Sequence, residues 1–82
     1  MNEIIYQTRA LRQLRKIKEQ ATIRAKIDEL KDFPNCRNIK HLTEHEYDYR
    51  LRVGNYRVFF NFDGHISIIS IEEVRKRNER TY

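Results

Sequence analysis

Cysteine, proline, glycine and tryptophan are all scarce in this 82-residue chain, which has one, one, two and none of them respectively. With a single cysteine, Cys36, no internal disulfide can form, so the chain is not a stapled secreted scaffold. Cys36 follows Pro34-Asn35 in a loop, and no flanking motif marks it as a catalytic thiol. One cysteine and three histidines at scattered spacing make no recognisable metal site, and no cofactor is expected. No run of apolar residues is long enough to cross a bilayer, and the opening MNEIIYQTRA lacks the pattern of a signal peptide. Both absences point to the cytoplasm. There is no internal repeat and no low-complexity segment, and at this length one domain spanning residues 1–82 is expected, with a modest core.

Charge is what the chain has in plenty. Charged residues make up 35% and hydrophobic ones 39%, with 17 basic against 12 acidic side chains and a net charge of +5. A pI near 9.6 points to anionic partners: nucleic acid, an acidic protein or a membrane surface.

The densest pattern runs from Tyr47 to Phe62, YDYRLRVGNYRVFFNF. Tyr47, Tyr49, Leu51 and Val53 alternate with Asp48, Arg50 and Arg52, the period of a half-buried strand. Gly54-Asn55 interrupts the alternation, which resumes with Tyr56, Val58, Phe60 and Phe62 against Arg57, Phe59 and Asn61. This predicts a β-hairpin with a two-residue turn, pairing Val53 with Tyr56, Arg52 with Arg57, Leu51 with Val58 and Arg50 with Phe59. One face is then wholly apolar. The other gathers Arg50, Arg52 and Arg57, although like charges opposed across strands are destabilising. A solvated face with arginine stems packed on Phe59 is one reading. A site for a polyanion is the other, because arginine offers a permanently charged planar fork suited to phosphate.

The remainder supplies the scaffold. Asn2–Tyr6 reads as a strand, Thr8 as an N-cap, and Ala10, Leu11, Leu14 and Ile17 as one face of a helix. After a break at Glu19-Gln20, Ile23, Ile27 and Leu30 define a second helix that should end before Pro34. Asn35–Glu46, containing Lys40, His41 and His45, reads as a polar connection pinned by Ile39 and Leu42. Asp63-Gly64 is a turn signal leading into a strand over His65–Glu72, marked by Ile66, Ile68, Ile69 and Ile71. A basic ending follows, EEVRKRNERTY, with Arg75, Lys76, Arg77 and Arg80. The order β-α-α-β-β-β predicts an α+β domain: a helical hairpin on one face of a small, mainly antiparallel sheet, the arginine face left open.

An open face of arginines and tyrosines suits RNA, with guanidiniums on phosphates and rings on unpaired bases. Cleavage would require activating a 2′-hydroxyl, stabilising an anionic phosphorane and protonating the leaving oxygen. Arg57 and Arg77 could stabilise the anion, and Arg50 could orient the scissile phosphate. Tyr82, Asp48, Glu46 and the loop histidines are the acid–base candidates, none singled out by the pattern.

In the hairpin YRLRVGNYRVFF, the segment DGHISIISI, the ending VRKRNERTY and the element order, nearly the whole chain resembles the RelE/ParE superfamily of toxin–antitoxin toxins, most closely its RelE-like branch. The resemblance implies a small cytoplasmic toxin, neutralised by a cognate antitoxin that lays an acidic segment over the arginine surface. It implies an endoribonuclease that enters the A site of the small ribosomal subunit and cuts mRNA through the nucleotide's own 2′-hydroxyl, the ribosome supplying the in-line geometry. Carried over by position, the catalytic set falls on Arg50, Arg57, Arg77 and Tyr82. Asp48 stands where such toxins carry a basic residue. Lys40, Arg52, Arg75, Lys76 and Arg80 are the expected RNA and ribosome contacts. DNA is expected only indirectly, through a toxin–antitoxin complex. A ParE-like inhibitor of DNA gyrase on the same fold is the first alternative, and a non-catalytic binding module, for which Asp48 speaks, is the second.

Overall fold

A computed structural model describes residues 1–77. The chain runs β1 (Glu3–Tyr6), α1 (Thr8–Arg15), α2 (Gln20–Asp28), a 3-10 turn (Glu29–Asp32), β2 (Ile39–His41), β3 (Tyr49–Val53), β4 (Tyr56–Asp63) and β5 (Ile68–Lys76). The five strands form one sheet in the order β1-β5-β4-β3-β2. β1 pairs parallel to β5 and the other pairs are antiparallel.

The expected α+β architecture is present, with one strand more than the sequence pattern suggested. β2 lies in the stretch read as a polar connection. Strand β3 would otherwise leave its outer backbone groups unpaired, and β2 satisfies them by pairing Ile39 with Leu51, Lys40 with Arg50 and His41 with Tyr49. In three residues only Ile39 turns inward, too little for an alternation to register in the sequence.

The helices are amphipathic as their spacing required. Ala10 and Leu14 of α1, Ile23 and Ile27 of α2, and Leu30 of the following turn are fully or almost fully buried. They lie on Leu51, Val53, Val58, Phe60, Ile69, Ile71 and Val74 of the sheet. α1 begins at Thr8 itself, and its N-cap residue is Gln7, without a side-chain capping bond.

The β3–β4 hairpin has the predicted register, Val53 opposite Tyr56 through Arg50 opposite Phe59. Its turn places Gly54 at a φ of 55°. A positive φ at the first central residue alone is the type II′ pattern, where glycine avoids the penalty a Cβ would bring.

Strand β5 departs from expectation at its start. The strand begins at Ile68 because Asp63 Oδ1 accepts the His65 N–H and Ser67 adopts a φ of 55°, so that residues 64–67 form the connection. Ile66, read from the sequence as a strand residue, is 62% exposed there.

Between Phe59/Phe60 and their β5 partners the register shifts by one residue: Phe60 pairs with Ile71, but Phe59 pairs with Glu73. This bulge inverts the alternation along β5. Ile69 and Ile71 before it face the helices, and Val74 after it does too. Glu73 and Arg75 are thereby delivered to the opposite face, the one without helices.

Candidate functional site: an arginine cleft on the open sheet face

The register sets two rows across the open face. Lys40, Arg50, Phe59 and Glu73 form one, on β2, β3, β4 and β5. Arg52, Arg57 and Arg75 form the next. Arg77 follows β5, in phase with Arg75, and its backbone N–H is held by the Asn55 carbonyl at the hairpin turn.

Arg50, Arg52, Arg57 and Arg77 converge on a cleft of about 170 Å³, completed by Gly54 and Tyr56. A single water requires only about 10–15 Å³, so the cleft has room for a substantial anionic group. No carboxylate lines it among the described residues. Arg50 lies deepest; its Nε is fully buried and has no hydrogen-bond partner among the described residues. Burial, and then the charges of Arg57, Arg52 and Arg77, pull its pKa below the ordinary arginine value. Arginine nonetheless stays charged in proteins. Four permanent charges make a cleft that suits an anion.

Beside the cleft the open face is covered. Phe59 is buried on this side, stacked by His45 with ring centroids 5.4 Å apart and an interplanar angle of 11°, and flanked by Tyr47 at 5.6 Å. The Arg75 guanidinium lies over the same ring, 5.4 Å from its centroid. Tyr47, expected from the alternation to face the helices, is here instead. Asp48 N–H is bonded to Asn61 Oδ1 and the Leu42 N–H to Asp48 O, so the chain enters β3 only at Tyr49 and the alternation does not reach back to Tyr47.

Glu73, which no sequence motif marked, organises this covered half. Its carboxylate accepts the Tyr47 hydroxyl at 2.8 Å and Arg9 Nη1 at 3.4 Å, and it pairs with Arg75 Nε. The bond from Arg75 is the main influence holding its pKa below the usual value, with Tyr47 and Arg9 adding to it against burial. Bonding to Glu73, together with burial, pushes the Tyr47 hydroxyl up to about 12. Arg75 is thus committed to Glu73 and does not line the cleft. The one sequence signal for this arrangement was the EEV run, in which two adjacent acids interrupt a strand of isoleucines.

The other sequence-selected residues fall in several places. Lys40 is exposed on the edge strand beside Arg50. Asp48 is exposed and is not part of the cleft lining. Lys76 pairs with Tyr56 and so projects from the helix side of the sheet, opposite the arginines. Glu46 lines a separate depression with Gln7, Thr8, Arg9, Tyr47 and Glu72. His41 packs near Tyr49 and His45 on Phe59. Arg80 and Tyr82 lie outside the described residues. Tyr56, which reaches the cleft, hydrogen-bonds Glu19 through its hydroxyl at 3.2 Å.

A family model described as the ParE toxin of a type II toxin–antitoxin system, parDE, matches residues 4–81. Among solved structures, a chain of the archaeal RelE–RelB complex from Pyrococcus horikoshii OT3 superposes with a TM-score of 0.81 at 20% identity, covering 95% of this chain and 97% of that one. The isolated Escherichia coli RelE toxin gives 0.79 at 17% identity, with 96% and 87% covered. A chain of the toxin–antitoxin complex RelBE2 from Mycobacterium tuberculosis gives 0.73 at 25% identity, with 93% and 98% covered. No curated protein sequence matches the chain.

Proposed function

The chain belongs to the RelE/ParE superfamily of toxins from type II toxin–antitoxin systems, and from that premise we propose that it is a ribosome-dependent endoribonuclease of the RelE kind. The observation that carries this reading is the cleft of Arg50, Arg52, Arg57 and Arg77. Four arginines with no carboxylate among the described lining suit a group more anionic in the transition state than in the ground state. That is the requirement of phosphodiester cleavage.

In this reading the 2′-oxygen of the substrate attacks the adjacent phosphorus, the bond to the 5′-oxygen breaks, and a 2′,3′-cyclic phosphate and a 5′-hydroxyl result. Arg50, the deepest of the four, orients the scissile phosphate. Arg57 and Arg77 take up the charge of the phosphorane. The described lining offers no free general base, since the Tyr56 hydroxyl is engaged by Glu19. The 2′-proton therefore leaves to solvent or to a group of the ribosome, and the departing 5′-oxygen takes up a proton from the same sources, with Asp48 and Tyr82 the chain's own candidates for these transfers. A ribosome that presents the mRNA in line supplies the positioning that a lone cleft cannot. The protein acts in the cytoplasm, and a cognate antitoxin with an acidic segment silences it by covering the arginines.

The match to a ParE family model favours a second reading, in which the same surface binds DNA gyrase and cuts nothing. Primer extension on a reporter mRNA in a purified translation system separates the two. The nuclease reading expects discrete cuts at A-site codons, absent without ribosomes and abolished by Arg57→Ala. Intact mRNA beside toxicity in cells would transfer the assignment to gyrase.

A further inference from the structure

The loop between β2 and β3 lays an aromatic ring beside the arginine cleft, and the cleavage chemistry above makes no use of it. The loop closes where Leu42 N–H donates to Asp48 O, and Asn61 Oδ1 holds the Asp48 N–H. Within it the His45 ring lies on Phe59 at an interplanar angle of 11°, and Tyr47 meets it at 46°. Phe59 is 5% exposed beneath this cover, whereas His45 is exposed. One face of the imidazole is therefore spent on Phe59 and the other is turned to solvent. Phe59 stands directly opposite Arg50 in the hairpin, and the Cα atoms of such pairs are about 5 Å apart, so the stack borders the deep end of the cleft. The Tyr47 N–H donates to His45 Nδ1 at 3.0 Å, which places the ring's proton on Nε2. Accepting a further proton at Nε2 would require the ring to turn an N–H against the Tyr47 N–H. His45 is thus held as a fixed plate rather than as a proton carrier.

We propose that the outer face of His45 is a nucleobase subsite, on which one unpaired purine of an RNA stacks while a neighbouring phosphate lies among the arginines. The proposal rests on the RNA reading given above and adds to it the place where a base is held. Arginines recognise a phosphate, which every nucleotide carries, so the cleft alone confers no choice of sequence. The stack differs from the cleft in charge. The Arg75 guanidinium lies over Phe59 but is paired with Glu73, so the aromatic group presents a neutral π-face and not a further free cation. A neutral plate beside a cationic cleft complements a neutral base beside an anionic phosphate. Every base has a π-face, but a purine with its two fused rings covers more of the plate than a pyrimidine does. A residue outside the arginine cleft thereby sets a base preference next to the bond that is cut.

The test is a titration of the protein with 2′-O-methyl tetranucleotides, which cannot be cut through a 2′-hydroxyl, followed by NMR at the ring protons of His45 and Phe59. The expected result is that the tetraadenylate shifts the His45 ring protons and binds more tightly than the tetrauridylate. Removing the bases from the oligonucleotide, or replacing His45→Ala, should weaken binding about tenfold. His45→Phe keeps the π-face and loses both nitrogens, and should retain the parent's affinity. The abasic oligonucleotide should bind the parent and His45→Ala alike. Ring protons that do not move, an affinity unchanged in His45→Ala, or a His45→Phe variant as weak as His45→Ala would overturn the proposal. So would a His45→Phe variant that binds fully but no longer cuts in the purified translation system, since the imidazole nitrogens would then be the working part. The binding readout involves no cleavage. A-site cutting without base-dependent binding removes this subsite and leaves the nuclease standing, and base-dependent binding beside intact mRNA does the reverse.

Discussion

Replacing Glu73 by glutamine keeps the shape of the side chain and removes its charge. The carboxylate, only 8% exposed, accepts from Tyr47 at 2.8 Å and from Arg9 at 3.4 Å, and is bonded to Arg75. Hydrogen bonds to a charged group contribute about 1.5–3 kcal/mol each where they are fully buried. The Arg9 and Arg75 side chains are 62% and 53% exposed, so both regain hydration once released. That leaves the Tyr47 bond as the main loss, for a total of about 2 kcal/mol. In a domain of this size such a loss lowers Tm by about 8–16 °C. The effect also carries a pH signature. Because the pKa of Glu73 is depressed in the folded protein, its contribution is complete above the ordinary value of 4.5 and is lost as pH falls through the lower folded value. Urea and thermal unfolding of Glu73→Gln and the parent, followed by circular dichroism from pH 7 to pH 3, should show a gap that narrows below pH about 4.5. A loss under about 0.5 kcal/mol at pH 7, or a gap that stays constant through the acid range, would refute the role given to this carboxylate.

Three further outcomes follow from the same geometry. Arg52→Ala relieves the direct opposition to Arg57 and should raise stability by a few tenths of a kcal/mol, on the order of 0.2–1, while the salt dependence of RNA binding falls by about one unit of slope; an unchanged slope would remove Arg52 from the anion site. Gly54→Ala forces a Cβ into a positive φ and should cost about 1 kcal/mol, whereas Gly54→Asn, which tolerates that region, should cost less, as chemical denaturation would reveal. The Tyr47 hydroxyl holds its proton to about 12, so its share of stability is whole below its ordinary value of 10.0 and lost as pH rises through about 12. Tyr47→Phe should therefore flatten the decline in stability over that alkaline range, and an unaltered profile would count against the bond to Glu73.

The hairpin was legible because three independent signals agreed on it. The alternation, the Gly54-Asn55 turn and the matching lengths of its arms fixed a register that the structure reproduces pair for pair. The grouping of Arg50, Arg52 and Arg57 came with that register. β2 was not legible because a three-residue edge strand is held by backbone pairing, which composition does not encode. The same holds for the bulge opposite Phe59. Alternation counted through Glu72 assigns every later residue of β5 to the wrong side, and nothing in EEV tells which acid is the extra one. Glu73 was missed for that reason, and the fate of Arg75 with it. Lys76 was grouped with the arginines by proximity in sequence, whereas phase along the strand sets it apart.

The crowding of Arg50, Arg52, Arg57 and Arg77 has a consequence for the lifetime of the molecule. Anything that binds the folded cleft and not the unfolded chain adds RT ln(1 + [L]/Kd) to stability, about 2.7 kcal/mol at a hundredfold excess over Kd. Here the occupant also quiets the mutual repulsion of the guanidiniums. The vacant protein is thus the frailer of the two forms. Proteases, which take chains as they open, would clear it faster than its occupied counterpart.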